Sequence, residues 1–172
     1  MSLSKNLKPQ DIVILLKIIS IGNESWFHHT LALDLGMSQS EVSQSLNRSL
    51  YAGLLDSARK KVNRIAFNEL IIHGVGYVFP QQPGSIVRGI LTAHSAEPLN
   101  KIIQSSEKFV WPYARGLDRG QSIEPLYRTV VEASLKDKNL YEMLALVDAI
   151  RVGRAREKEI AKKELEKRIL NA

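Results

Sequence analysis

A chain of 172 residues with 44% apolar and 24% charged side chains has a globular composition, and it is long enough to bury a full core. Its net charge of +6 suits a polyanionic partner such as DNA, RNA or an anionic membrane surface. With no cysteine, disulfide staples and cysteine zinc sites are excluded. The amino terminus, Met1 to Lys8, is polar. Pro9 suits a first helical position, and Asp11 suits the positive end of the helix dipole. The apolar run Ile12 to Ile21 follows, closed by Gly22 and Asn23. Its breadth predicts a helix buried between others. Lys17 breaks the run, no small-residue cleavage site follows, and it is about half the roughly 20 residues a bilayer requires. The expectation is a cytoplasmic protein with no membrane insertion.

The next helices are predicted over Trp26 to Leu35, ended by Gly36, and Gln39 to Ala52, ended by Gly53. Leu54 to Asp56 reads as a short strand, Ser57 to Arg64 as a basic turn and Ile65 to Phe67 as a return strand. Asn68 is placed to cap a helix over Glu69 to Val75. Pro80, Pro83 and Gly84 mark a linker. Beyond it, Ile86 to Thr92 and Phe109 to Ala114 read as strands, and Ala96 to Gln104 as a brief helix. Leu140, Met143, Leu144, Val147 and Ile150 repeat at helical spacing. After Gly153 a charged helix, Arg154 to Leu170, carries a narrow stripe of Ala161, Leu165 and Ile169.

The segment Thr30 to Asp56 carries the motif. Ala32 lets two helices approach closely. Gly36 can take the left-handed conformation that ends the first at little steric cost. Leu31, Leu35, Met37, Val42 and Leu46 supply the apolar faces. Ser38 and Glu41 form a capping-box pattern that gives the next helix a defined start. With Val42, Leu46 and Leu50 inward, the opposite face presents Gln39, Ser40, Ser43, Gln44, Asn47 and Arg48. In a major groove, Gln and Asn pair with adenine and Arg with guanine. These six are the candidate base-reading residues.

The string Leu31-Ala32-Leu33-Asp34-Leu35-Gly36-Met37-Ser38, then Val42-Ser43 and Ala52-Gly53-Leu54-Leu55, resembles the winged helix-turn-helix of bacterial regulators of the multiple-antibiotic-resistance (MarR) type and their relatives. The resemblance covers roughly the first 75 residues. Ser49 departs from it, since such families usually place an apolar residue there, and this implies a slightly rotated third helix. The resemblance implies that Ser57 to Arg64 is a wing lying along the DNA backbone. Arg59, Lys60, Lys61 and Arg64, with Ser38, are then the candidate phosphate contacts.

The expected fold class is mainly α with a small β-wing: a winged helix-turn-helix over 1–79, followed by an α+β or helical region over 80–172 for dimerisation or partner binding. The expected function is a sequence-specific, homodimeric DNA-binding transcription regulator acting as a repressor on double-stranded DNA. The apolar stripe of the last helix is a candidate dimer contact. The rival reading is an interaction protein whose winged helix serves autoregulation, as in antitoxins of abortive-infection type, with a protein partner on the carboxy-terminal region. No enzyme motif is present: there is no glycine-rich phosphate loop or nucleophile motif, and Asp118, Glu124 and Asp148 are scattered. No cofactor is expected. His28, His29, His73 and His94 make no metal constellation. Trp26 and Trp111 read as core or interface residues. Arg88-Gly89, Arg115-Gly116 and Arg119-Gly120 are left without a role, beyond the capacity of such an arginine to present its guanidinium to an anion or carboxylate.

Overall fold

The computed structural model describes residues 4–171. Helix α1, Pro9–Ile21, starts where the sequence predicts, with Pro9 at its first turn and the Lys8 amide donating to Asp11 Oδ2 at 2.8 Å. Every residue from Asp11 to Ile19 is buried, so α1 is the central rod of the molecule. Helix α2, His28–Leu35, ends at Gly36, whose φ of 64° is the left-handed value expected of it. Helix α3, Gln39–Tyr51, begins on Ser38, whose Oγ accepts from the Glu41 amide at 3.0 Å. Both helices pack on α1.

After α3 the chain makes a tight turn closed by one antiparallel bridge, Leu55 to Val62. The expected return strand over Ile65 to Phe67 is absent, because helix α4, Arg64–His73, already contains those residues. Asn63 rather than Asn68 is the cap, accepting from the Ala66 amide at 3.2 Å. Asn68 is buried and donates to Glu166. Phe67 and Ile71, both fully buried, set the helical period that begins α4 early. A single turn, α5, Val75–Val78, completes this half.

Strands β1, Ile86–Leu91, β2, Phe109–Pro112, and β3, Asp118–Ser122, each pair with both of the others and close on themselves. β1 runs antiparallel to β2 and β3, which pair parallel. So tight a closure needs residues without side chains. A Cβ on Gly89 would lie 1.9 Å from the Trp111 carbonyl oxygen, and one on Gly120 2.4 Å from that of Lys108. A Cβ on Gly116 would lie 2.2 Å from the Gly89 oxygen. The glycines of the three Arg-Gly pairs are therefore closure residues. Gly89→Ala is expected to cost about 3 kcal/mol, the upper end of ordinary overpacking, or roughly 6–12 °C in Tm. A circular-dichroism melt at the wild-type temperature would refute this.

Between β1 and β2 the expected helix over Ala96 to Gln104 is replaced by two 3-10 turns, Ala93–Ser95 and Leu99–Lys101. Pro98 lies inside the expected span and disfavours helical backbone at the residue before it.

Helices α6, Val130–Lys136, α7, Lys138–Val152, and α8, Ala155–Asn171, end the fold. α7 is buried from Met143 to Arg151 and packs against α1, α5, α6 and α8. The stripe Ala161, Leu165 and Ile169 is fully buried within the chain, where α8 meets α4 and α7. It is therefore not available as a dimer contact. Nor does the expected boundary at 79/80 separate two cores, since one apolar cluster runs through residues of both segments. Lys17 pairs with Asp137 at 2.8 Å, and the Arg151 Nε donates to the Phe79 carbonyl at 2.8 Å. Hydrogen bonds from Lys17, the Leu140 amide and Ser20 hold Asp137 below the usual carboxylate range, although burial pushes it up.

Asp148 ties the sheet to α7. Fully buried, it accepts from Thr92 Oγ1 at 2.8 Å, Trp111 Nε1 at 2.6 Å and Arg151 Nη1 at 2.8 Å. Burial pushes its carboxyl above the ordinary value, while Arg151 and the donors pull it back. Among the described residues, no helix is long and apolar enough to cross a membrane.

Candidate nucleic-acid interface

One face of α3 is free of the core. A helix advances about 100° per residue, so Ser40, Ser43, Gln44 and Asn47 share a stripe opposite Val42 and Leu46. Gln39, Ser40 and Asn47 are exposed, and Ser43 and Gln44 are half-buried. Gln44 donates to Ser40 Oγ at 3.1 Å. Ser38 is exposed, with its hydroxyl occupied in starting the helix. Tyr51, which the sequence reading passed over, continues the stripe; it is 67% exposed, with Lys5 Nζ 4.8 Å from its ring centroid. Its position eleven residues after Ser40, three helical turns on, was the available signal.

Arg48 does not belong to this face, and its expected base-reading role is corrected. The side chain is 4% exposed. Its guanidinium donates from Nε and Nη2 to both carboxylate oxygens of Asp11, at 2.7–3.1 Å, and from Nη2 to Glu41 Oε1 at 2.8 Å. Arg48 lies about 100° round the helix from Asn47, on the flank it shares with Glu41 and buried Ser45. Burial pushes the Glu41 carboxyl up, but hydrogen bonds from Arg48 and Gln10 hold it below its ordinary value. The same pairing keeps the Arg48 guanidinium charged despite its own burial. Ser45 and Ser49 are also buried, with hydroxyls that have no hydrogen-bond partner. Ser49 thus faces the interior despite its hydroxyl.

The basic turn over 57–61 is organised by an acid. Asp56 Oδ1 accepts from the amides of Lys60 at 2.7 Å and Lys61 at 3.0 Å. The hydrogen bonds from Lys61 and Lys60 and the Lys61 charge hold the Asp56 carboxyl below its ordinary value. Asp at the head of a turn is a recurrent device, so this role was open to a sequence reading that assigned Asp56 only to a strand. Arg59 takes a positive φ of 57°, and its Nη1 donates to Asn47 Oδ1 at 2.6 Å. The turn is thereby fastened to the free face of α3. Lys61 is exposed. Lys60 is exposed too, but folds back, with Nζ 4.3 Å from the Trp26 ring centroid and donating to the Trp26 carbonyl at 3.1 Å. Burial lowers the His28 pKa, and the charges of Lys60 and Arg59 lower it further.

Arg64 is corrected as well. It opens α4 rather than belonging to the turn, is half-buried, and donates from Nη1 to the Ile169 carbonyl at 2.7 Å at the far end of the chain, so it stands apart from the turn's cations. The interface that remains combines Gln39, Ser40, Ser43, Gln44 and Asn47 with Ser38, Arg59, Lys60 and Lys61. Among the described residues, Arg59, Lys60 and Lys61 make no ion pair with a carboxylate side chain, and no group of three or more His, Asp or Glu side chains could hold a metal. In comparisons with protein-family models, curated proteins and solved structures, the chain matches none of them.

Proposed function

We propose that this protein is a DNA-binding transcription regulator of winged helix-turn-helix type. On this reading α3 enters a major groove and the turn over 57–61 is a wing that grips phosphates. One observation carries the reading: the free face of α3 holds amide and hydroxyl side chains, and unpaired cations from the neighbouring turn are bonded to it through Arg59 and Asn47. Amides and hydroxyls read base edges, and cations on a loop position the helix without reading sequence. A homodimer on a near-palindromic site would place two α3 helices about one turn of DNA apart. Its contact surface lies elsewhere than the α8 stripe. Repression is the proposed sense of regulation.

Fluorescence anisotropy with duplexes from the DNA upstream of its own operon tests this. Gln44→Ala is expected to cost about 1–3 kcal/mol of discrimination between cognate and scrambled duplex. Lys61→Gln is expected to weaken binding to both alike and to reduce the slope of log affinity against log salt by about one. No salt-sensitive binding by the wild-type protein, or unchanged discrimination in Gln44→Ala, would overturn the reading.

A further inference from the structure

Two of the arginines that stand beside closure glycines become direct neighbours in the fold. Arg88 on β1 and Arg119 on β3 are cross-strand partners. Their Cβ atoms are therefore about 4.5–5.5 Å apart on one face of the ladder. Both side chains are exposed, and among the described residues neither forms an ion pair or a side-chain hydrogen bond. The third arginine of the set behaves differently: Arg115 donates to the Tyr113 hydroxyl at 2.7 Å and pairs with Glu132 at 3.4 Å. Like charges directly opposite each other destabilise a sheet. The backbone ladder and the close approaches at Gly89, Gly116 and Gly120 hold the register, so the two cations are kept together by a closure in which their side chains take no part.

A cleft of about 600 Å³ is lined by Arg119 of this pair, together with Lys108, Glu107, Ser85, Ser106 and Gln121; Arg88 flanks it from β1 as the cross-strand neighbour of Arg119. The nearby acids are already engaged. Glu107 pairs with Arg154 at 3.5 Å, and Asp118 with Lys108 at 3.3 Å. The cleft thus offers the Arg119 guanidinium next to neutral donors, with the Arg88 guanidinium beside it at the rim, neither of them paired with a carboxylate.

We propose that Arg88 and Arg119 bind a phosphate group carried by a small phosphorylated ligand whose body lies in the cleft along β3. Guanidinium forks match the oxygens of a phosphate and donate to them in pairs. The hydroxyls of Ser85 and Ser106 and the Gln121 amide suit a hydroxyl-bearing body. The volume is in the range of small-ligand sites. Binding relieves the Arg88–Arg119 repulsion, so occupancy stabilises the closed sheet. The site is separate from the α3 face and does not rest on the DNA-binding reading.

Thermal unfolding of the full chain at constant ionic strength tests the site, with inorganic pyrophosphate and adenosine monophosphate as probes and sodium chloride as control. Either probe at about 100-fold above its Kd should raise Tm by several degrees. Without ligand, Arg88→Gln and Arg119→Gln should each melt at or above the wild-type temperature, since each removes a repulsion, and each should lose the response. Arg119→Lys, which keeps the charge and loses the fork, should respond only in part. Gln44→Ala and Lys61→Gln should respond fully, which separates failure here from failure of the DNA-binding reading. An equal rise with chloride, a full response in Arg119→Gln, or a ligand-free Tm several degrees below wild type in either glutamine variant overturns the proposal. Protection by a 20-base-pair duplex alone, dependent on Arg88 and Arg119, would assign the phosphate to a nucleic-acid backbone and overturn the small-molecule occupant.

Discussion

Arg48→Ala is expected to lower the free energy of unfolding by about 3–5 kcal/mol, roughly 6–20 °C in Tm. The substitution strands the Asp11 carboxylate, which is fully buried and has Arg48 as its ion-pair partner. A stranded buried charge costs more than the intact pair contributes, because its desolvation is no longer offset. Asp11→Ala should cost less, because the Arg48 guanidinium keeps its 2.8 Å pairing with Glu41. The double replacement Asp11→Leu with Arg48→Met, which fills the same space with apolar atoms, should recover most of the loss. Urea denaturation of the four proteins measures these differences. Arg48→Ala within 1 kcal/mol of wild type, with DNA discrimination selectively lost, would return Arg48 to the reading face.

Asp148→Ala is expected to be as damaging, at about 3–5 kcal/mol. It removes the shared acceptor of Thr92, Trp111 and Arg151 in one step and leaves the Arg151 charge at the junction of the sheet with α7. Asp148→Asn keeps the shape and one acceptor oxygen, so about 1–3 kcal/mol is expected, the cost of donors left unsatisfied. Trp111 is 1% exposed in the folded protein. Its emission should shift to longer wavelength in the alanine variant before global unfolding, as the indole loses its acceptor and its shielding from water. An alanine variant as stable as wild type, with unshifted emission, would show that the sheet and α7 are joined by apolar packing alone.

The two clusters mark where reading along the chain stops. Pro9, Asp11, Gly36 and Ser38 punctuate the first three helices where their local chemistry says they should, whereas the Glu41 carboxylate, expected to complete a capping box with Ser38, is bonded to Gln10 and Arg48 instead. Each such signal acts within one turn of backbone, through a fixed φ, an orphaned amide or a nearby carboxylate. The free face of α3 was legible for the same reason, because helical periodicity separates Ser40, Ser43, Gln44 and Asn47 from Val42 and Leu46 without further information. Strand β3, Asp-Arg-Gly-Gln-Ser, was not legible. Its residues have no apolar alternation, and they form a strand where Gly120 lets the backbone of Lys108, just ahead of β2, approach closely.

Thus the sequence by itself determined a mainly helical chain, the helix pair that presents α3, and the amide and hydroxyl stripe along it. Only the tertiary structure decided which cations remain free for a partner. Arg48 and Asp11 are 37 positions apart, Arg64 and the Ile169 carbonyl 105, and Lys17 and Asp137 120. No local rule connects such residues. A charged side chain near a helix border turns outward or inward according to whether a distant buried group of opposite sign is brought within reach, because an unpaired buried charge is too costly to leave. That choice took Arg48 out of the basic surface and left Arg59, Lys60 and Lys61 on it, while a bond to the Ile169 carbonyl turned Arg64 away and strand register set Arg88 beside Arg119.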